Sequence, residues 1–98
     1  MSPKRRRTGD IPADMRRQVK ARSRGFCEAC GVYGAAHVHH RKLRSQGGRH
    51  ELPNLLHVHH YCHTEIHANP ERSYALGLLV RGWADPADVP VTMMRGAA

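Results

Sequence analysis

The chain has 98 residues, of which 16 are Lys or Arg and 8 are Asp or Glu, so its formal net charge is +8. This length allows one domain with a thin core, which a bound metal or a cross-link would have to support. The longest apolar run, 74–80, is far shorter than the roughly 20 residues of a membrane span, and no segment resembles a secretory signal. These features disfavour a membrane or secreted protein and predict a soluble, cytoplasmic one.

The positive charge is concentrated near the start of the sequence, where residues 1–24 contain nine Lys or Arg against two acidic residues. Basic groups placed near phosphates release condensed counterions, so a nucleic acid is the natural partner. Residues 1–10 are polar and have nothing to bury, which predicts a basic flexible arm. Its tetrad Lys4–Arg7 could equally be a solvated tail that aids solubility. Residues 11–98 are expected to form a single domain.

Local signals along the chain predict a small α+β fold. In chain order they indicate a helix over 12–24, a strand over 36–40, a polar loop over 41–51, a second strand over 55–58, and helices over 60–68 and 69–78. The two strands and their long connection predict a hairpin. The tail after Asp85 contains Pro86 and Pro90 and is expected to be extended and loosely docked.

Three cysteines, Cys27, Cys30 and Cys62, form two clusters, and this odd number cannot make a closed disulfide framework. Cys27-x2-Cys30 places two thiols on one turn, and His59-x2-Cys62 repeats the spacing with an imidazole. Four such ligands suit a tetrahedral structural Zn²⁺ site in a reducing compartment. Buried cysteines that only fill the core are the alternative. Spacing alone favours His59 over its neighbouring histidines as the fourth ligand.

A second group of residues could hold a metal ion for catalysis. His63 and His67 are four residues apart, so on a helix both imidazoles project from one face and can bind one ion. The doublet His39-His40 and Asn54 precede them. Taken singly, each of these motifs is more often a solvated helix face or an ordinary turn. Together with the cysteine pair they resemble the HNH endonuclease family, in the family's order and over roughly half of the chain.

The resemblance implies a ββα-metal core with a zinc knuckle, flanked here by an amino-terminal helix, a short carboxy-terminal helix and an extended tail. It implies that His39, His63 and His67 hold one catalytic divalent ion, Mg²⁺, Mn²⁺, Ni²⁺ or Zn²⁺. His40 would act as the general base on water, and Asn54 would hold the His40 loop through its side-chain amide. The implied reaction is hydrolysis of DNA phosphodiester bonds, by nicking, with 5′-phosphate products.

Basic residues beside this site are assigned to the DNA. Arg41, next to His40, is expected to join the catalytic set by binding phosphate. The other basic residues expected to contact DNA are Lys42, Arg44, Arg16, Arg17 and Lys20. Four histidines receive no role in catalysis or zinc binding and are expected at the surface or behind the ligands: His37, His50, His57 and His60.

The basic start and Pro-rich finish are similar to those of small nucleases of phages and prophages. This likeness implies a bacterial host cytoplasm, a phage terminase or portal as partner beside DNA, and a monomer or weak dimer. Many family members have aspartate where His39 stands, and an uncharged ligand there favours softer ions over Mg²⁺. The alternative function is a non-catalytic, zinc-containing DNA-binding or packaging accessory module, which the basic arm and zinc knuckle would also serve.

Overall fold

The computed structural model describes residues 11–94, so the basic arm expected at 1–10 lies outside the described residues. Within 11–94 the chain forms a small α+β fold with one two-stranded antiparallel sheet, which confirms the predicted fold class. The helices and strands are α1 (Ala13–Ser23), β1 (His37–His40), β2 (Leu55–Val58), α2 (His60–Ala68) and α3 (Pro70–Leu76). None of the described helices is long and apolar enough to cross a membrane.

The helices begin and end at local signals. α1 follows Pro12, whose fixed φ suits a helix start, and it ends at Arg24, which has a left-handed φ of 56°. α3 begins at Pro70 and ends before Gly77, which has φ 77°. This end lies two residues before the predicted one, because the chain must turn where Gly77 approaches the tail. A Cβ at Gly77 would lie 2.0 Å from the carbonyl oxygen of Pro90.

The sheet places two adjacent histidines in different environments. β1 and β2 pair with His39 opposite Leu56 and His40 opposite Leu55. Successive side chains on a strand point to opposite faces. His39 is therefore buried on the side that faces α2, with 1% of its surface exposed, whereas His40 is only partly buried on the other side.

The buried side chains form two groups on either side of β2, whose four residues are all buried. The smaller group joins Val19 of α1 to Leu55 of β2, together with Ile11. The larger group contains the three cysteines with apolar residues from the 27–30 turn, β2, α2, the segment after α3 and the tail: Ala29, Leu56, Val58, Ile66, Leu78, Leu79 and Met94. Cysteine thus supplies a large part of a small core, as expected for a chain stabilised by a metal.

The tail is docked more firmly than the sequence suggested. The backbone N–H of Thr92 donates to the carbonyl of Leu76, and that of Met94 donates to the carbonyl of Ala29, both at 2.8 Å. The Met94 side chain is buried against the cysteines. The prediction of a loosely docked tail is therefore wrong. Backbone hydrogen bonds and an apolar anchor hold it, neither of which its proline-rich composition reveals.

Arg41 is the anchor that joins β1 to the tail. Its side chain is buried, and its guanidinium donates to four backbone carbonyls, those of Pro53, Gly77, Pro86 and Val89. A phosphate ligand needs N–H donors that are free and accessible. The structure therefore disfavours the expected role of Arg41 in binding phosphate, because four of its five N–H donors are committed to the protein's own backbone.

We expect Arg41→Ala to lower the free energy of unfolding by about 3 kcal/mol or more, because several buried carbonyls would lose charged donors. Urea denaturation followed by circular dichroism measures this change. Arg17→Ala is the matched control, since Arg17 makes only an exposed ion pair with Asp14 and its loss should cost less than about 1 kcal/mol. Equal effects of the two substitutions would contradict the anchoring role.

Candidate metal centres and active site

The two halves of the cysteine motif meet in the fold. Cys27 and Cys30 lie on the turn after α1, which is closed by a 2.7 Å hydrogen bond from the N–H of Gly31 to the carbonyl of Cys27. His59 directly precedes α2, and Cys62 lies in its first turn. One potential ligand atom from each of the four residues lies within 4.8 Å of all the others.

His59 presents Nδ1 to the sulfurs. This nitrogen lies 3.4 Å from Sγ of Cys30 and 3.8 Å from Sγ of Cys62. The other ring nitrogen, Nε2, donates to the carbonyl of Tyr33 at 3.0 Å, which leaves the lone pair on Nδ1. Tetrahedral zinc, with bonds of about 2.3 Å to sulfur and 2.0 Å to nitrogen, places these atoms roughly 3.6 Å apart. The observed distances fit such a site.

The neighbouring histidines are placed elsewhere. Nδ1 of His57 lies 2.7 Å from Oγ of Ser23 on α1, and His60 is exposed on α2. Neither belongs to the cysteine cluster. The structure therefore favours the fourth ligand that spacing had indicated, and the cluster of Cys27, Cys30, His59 and Cys62 could bind a structural zinc.

The electrostatics of the cysteines also favour a bound cation. Burial raises the pKa of Cys27, but backbone hydrogen bonds, the first of them from His59, outweigh this effect and lower the pKa to about 7. Burial raises the pKa of Cys62 to about 12, and the adjacent Cys27 and Cys30 add to that rise. A thiolate at Cys62 is therefore penalised both by burial and by its two cysteine neighbours, and a divalent cation among the sulfurs would remove that penalty.

We expect His59→Ala to lose zinc and fold poorly, because a structural zinc contributes on the order of 10 kcal/mol to folding. Zinc content per chain and circular dichroism with and without a strong chelator measure this effect. His60→Ala is the matched control and should retain one zinc. If His60→Ala lost the metal and His59→Ala kept it, the assignment of the fourth ligand would be wrong.

A second cluster consists of histidines alone. His39 of β1 meets His63 and His67 of α2, and one ring nitrogen from each lies within 4.8 Å of the others. Nε2 of His63 and Nε2 of His67 are 3.2 Å apart. Two nitrogens bound to one ion at about 2.0–2.1 Å would lie roughly 3.3 Å apart in a tetrahedral site. The spacing therefore fits a shared metal ion.

His39 is held in the orientation that a ligand needs. Its Nε2 donates to the carbonyl of Leu78 at 2.7 Å, which leaves the lone pair on Nδ1. Burial lowers the pKa of His39 to about 3 and that of His63 to about 4. At neutral pH these imidazoles are uncharged, which is the form that binds metals.

His40 lies beside this cluster but outside it. Burial lowers its pKa to about 4, and electrostatic interactions with His50, Arg44 and Arg16 contribute to the shift. An uncharged imidazole at neutral pH can accept a proton. Nε2 of His40 lies 3.0 Å from Nδ1 of His50, a residue for which no role in catalysis or zinc binding was predicted. No sequence signal marks His50, because its position depends on how the 41–51 loop folds back.

Asn54 ties that loop to the start of β2. Its Oδ1 accepts from the N–H of Lys42 at 2.7 Å, and its Nδ2 donates to the carbonyls of Lys42 and Arg49 at 3.2 and 3.0 Å. The side chain is 1% exposed. The expected contact between the Asn54 amide and the backbone of the His40 loop is present.

The histidines open into a cavity of about 400 Å³ whose lining is positive. It contains the three clustered histidines and His40, together with Arg16 of α1 and Arg44 of the loop. Among the described residues, no Asp or Glu lines it. A cavity with cationic groups and uncharged imidazoles suits a phosphate group and a metal ion.

The remaining basic residues assigned to DNA lie outside this cavity. Arg17 pairs with Asp14 on the exposed side of α1, and Lys20 is exposed further along the same helix. Lys42 donates from Nζ to the carbonyl of Ala84 and lines a separate cavity that also contains the highly exposed Trp83. Of the five basic residues expected to contact DNA, only Arg16 and Arg44 line the cavity that contains the histidines.

A comparison with known protein families found a match that covers this site. The family model described as HNH endonuclease matches residues 27–69. That range contains β1, β2, all of α2 and all the residues of both clusters. A search of the curated proteins found no match to the chain.

Proposed function

We propose that the protein is a metal-dependent endonuclease that hydrolyses DNA phosphodiester bonds, since the HNH endonuclease family model matches residues 27–69. The observation that carries this proposal is the shared cavity. It combines three converging histidines, a separate uncharged histidine and two arginines. These are the parts that hydrolysis of a phosphodiester requires: a metal site, a base and phosphate ligands.

In this proposal His39, His63 and His67 hold one divalent ion, which would supply Lewis-acid stabilisation of the charge that develops on the phosphate and the leaving oxygen. His40 takes the proton from the attacking water. Arg16 and Arg44 supply positive charge beside the phosphate, and Asn54 maintains the loop beside His40. Attack by water on phosphorus with departure of the 3′-oxygen leaves a 5′-phosphate.

The donor set bears on which metal ion is used. Three imidazoles supply no negative charge, whereas Mg²⁺ prefers carboxylate and water oxygens. We therefore propose that Zn²⁺, Ni²⁺ or Mn²⁺ supports activity better than Mg²⁺. One base beside one metal site cuts one strand at a time, so nicked DNA is the expected first product.

The alternative, a non-catalytic DNA-binding module, does not account for every group in the site. A structural zinc and a basic surface would serve such a module, but the second histidine cluster and the uncharged His40 would not. An association with a phage terminase or portal, and a monomeric or weakly dimeric state, remain predictions from the family resemblance.

We expect wild-type protein to convert supercoiled plasmid to nicked circles when Mn²⁺, Ni²⁺, Zn²⁺ or Mg²⁺ is added. His40→Ala should reduce the rate about 10²-fold or more, since it removes the general base. His60→Gln, at an exposed histidine outside both clusters, is the control and should cleave at the parent rate. Equal cleavage by His40→Ala and the parent, or no cleavage with any of the four ions, would overturn the proposal.

Arg16 and Arg17 are neighbours on α1, which allows a matched test of the DNA-binding surface. Arg16→Ala should weaken DNA binding and reduce the slope of log affinity against log salt by about 1, as loss of one phosphate contact predicts. Arg17→Ala should change the slope less, because that side chain lies outside the cavity and pairs with Asp14. Fluorescence anisotropy with a labelled duplex at several salt concentrations, without divalent metal, measures both. The reverse order would contradict this placement of the phosphate.

A further inference from the structure

We infer that His50 is a positioning residue for His40. In this arrangement Nδ1 of His50 accepts the N–H on Nε2 of His40, which fixes the tautomer of His40 that has its lone pair on Nδ1. The inference deepens the proposed function and rests on His40 as the base. The inference identifies Nδ1 as the nitrogen of His40 that takes the proton. It also identifies His50 as the residue that keeps the lone pair on that nitrogen.

The geometry of the two rings is that of a hydrogen bond. Nε2 of His40 and Nδ1 of His50 are 3.0 Å apart, and the rings are tilted by 53° with their centroids 5.1 Å apart. Stacked rings would instead be nearly parallel. Because Nε2 of His40 is engaged in this way, Nδ1 is the nitrogen left for the attacking water.

The backbone around His50 is held by a residue of the same domain. Nδ2 of Asn54 donates to the carbonyl of Arg49, the residue directly before His50, at 3.0 Å. The same amide group holds both the N–H and the carbonyl of Lys42, two residues after His40. Asn54 therefore fixes both ends of the loop between the two histidines, and its effect on the base passes in part through His50.

Whether His40 can act as the general base depends on which of its ring nitrogens carries the proton. A neutral imidazole has one N–H and one acceptor nitrogen. If His50 donated the hydrogen bond, His40 would carry its proton on Nδ1 and could not accept another there. Arg16 and Arg44 line the same cavity as His40, and positive charge beside an imidazole favours a lone pair over an N–H on the side that faces it. The surroundings thus support His40 as donor and His50 as acceptor.

His50 also has a feature that stability alone does not explain. Its Nε2 is buried, and among residues 11–94 it has no hydrogen-bond partner. An unpaired buried polar atom costs free energy, which an apolar residue at this position would avoid. The unpaired Nε2 is thus a cost of having a histidine at this position, where Nδ1 contacts His40.

Three substitutions at His50 distinguish loss of the hydrogen bond to His40 from loss of side-chain volume. His50→Ala removes the acceptor, whereas His50→Asn keeps an acceptor oxygen close to the place of Nδ1. We expect His50→Ala to lower kcat for plasmid or oligonucleotide cleavage at least 10-fold with KM nearly unchanged, and His50→Asn to recover most of kcat. His50→Gln, whose amide lies one methylene further out, should resemble His50→Ala.

A second measurement does not depend on activity. Long-range ¹⁵N–¹H NMR of the zinc-bearing protein, without DNA, reports which ring nitrogen of His40 carries the proton. We expect the proton on Nε2 in wild type and in His50→Asn, and a mixture of tautomers in His50→Ala. Zinc content and thermal unfolding of each variant serve as folding controls, and if His50→Ala does not fold, the comparison of His50→Asn with His50→Gln decides.

The failures of the two proposals are distinguishable. If His40→Ala abolishes cleavage but His50→Ala leaves kcat unchanged, the role of His50 is refuted and the endonuclease stands. A wild-type His40 with its proton on Nδ1 would refute that role as well. If no cleavage occurs with any metal, the endonuclease proposal fails, while the NMR measurement still tests the hydrogen bond between the two histidines.

Discussion

The antiparallel pairing of β1 with β2 is the constraint on which the site depends. Because side chains alternate along a strand, this register places His39 against α2 and His40 against the loop. A two-stranded sheet is only marginally stable by itself. Here each end is held by side chains of the domain: the cysteine cluster lies where β2 leads into α2, and the Asn54 amide fixes the loop at the other end.

The two metal-binding clusters share one helix and are not independent. α2 carries Cys62 and His63 as adjacent residues, one directed to the cysteines and the other to His39. A metal that fixes the first turn of α2 therefore also fixes the direction of the histidines that follow it. The thin core adds to this dependence, since the cysteines occupy much of it. Folding and metal binding at the second cluster are thus linked through the start of α2.

Elements with local signals could be predicted from the sequence, whereas contacts between distant segments could not. Residues 55–58 and 60–68 match the observed β2 and α2, because turn residues and periodicity mark them. The role of Arg41 was missed because its partners are backbone carbonyls up to 48 residues away, which every residue type offers. His50 was missed for a similar reason, as its approach to His40 follows from the folded loop. The helix at 70–76 ends early because Gly77 must meet the tail.

The docked tail also has a consequence for the chemistry of the cysteines. Met94 is buried in the same cluster as Cys27 and Cys30, and the sulfur of Met93 lies near Gly31, where a Cβ would be 3.2 Å from it. These two thioether side chains cover the turn that carries the first pair of thiols. Proteolytic trimming of the tail would uncover that turn, and a thiol pair so close in sequence is then open to oxidation. Removal of the tail would therefore make these thiols easier to oxidise.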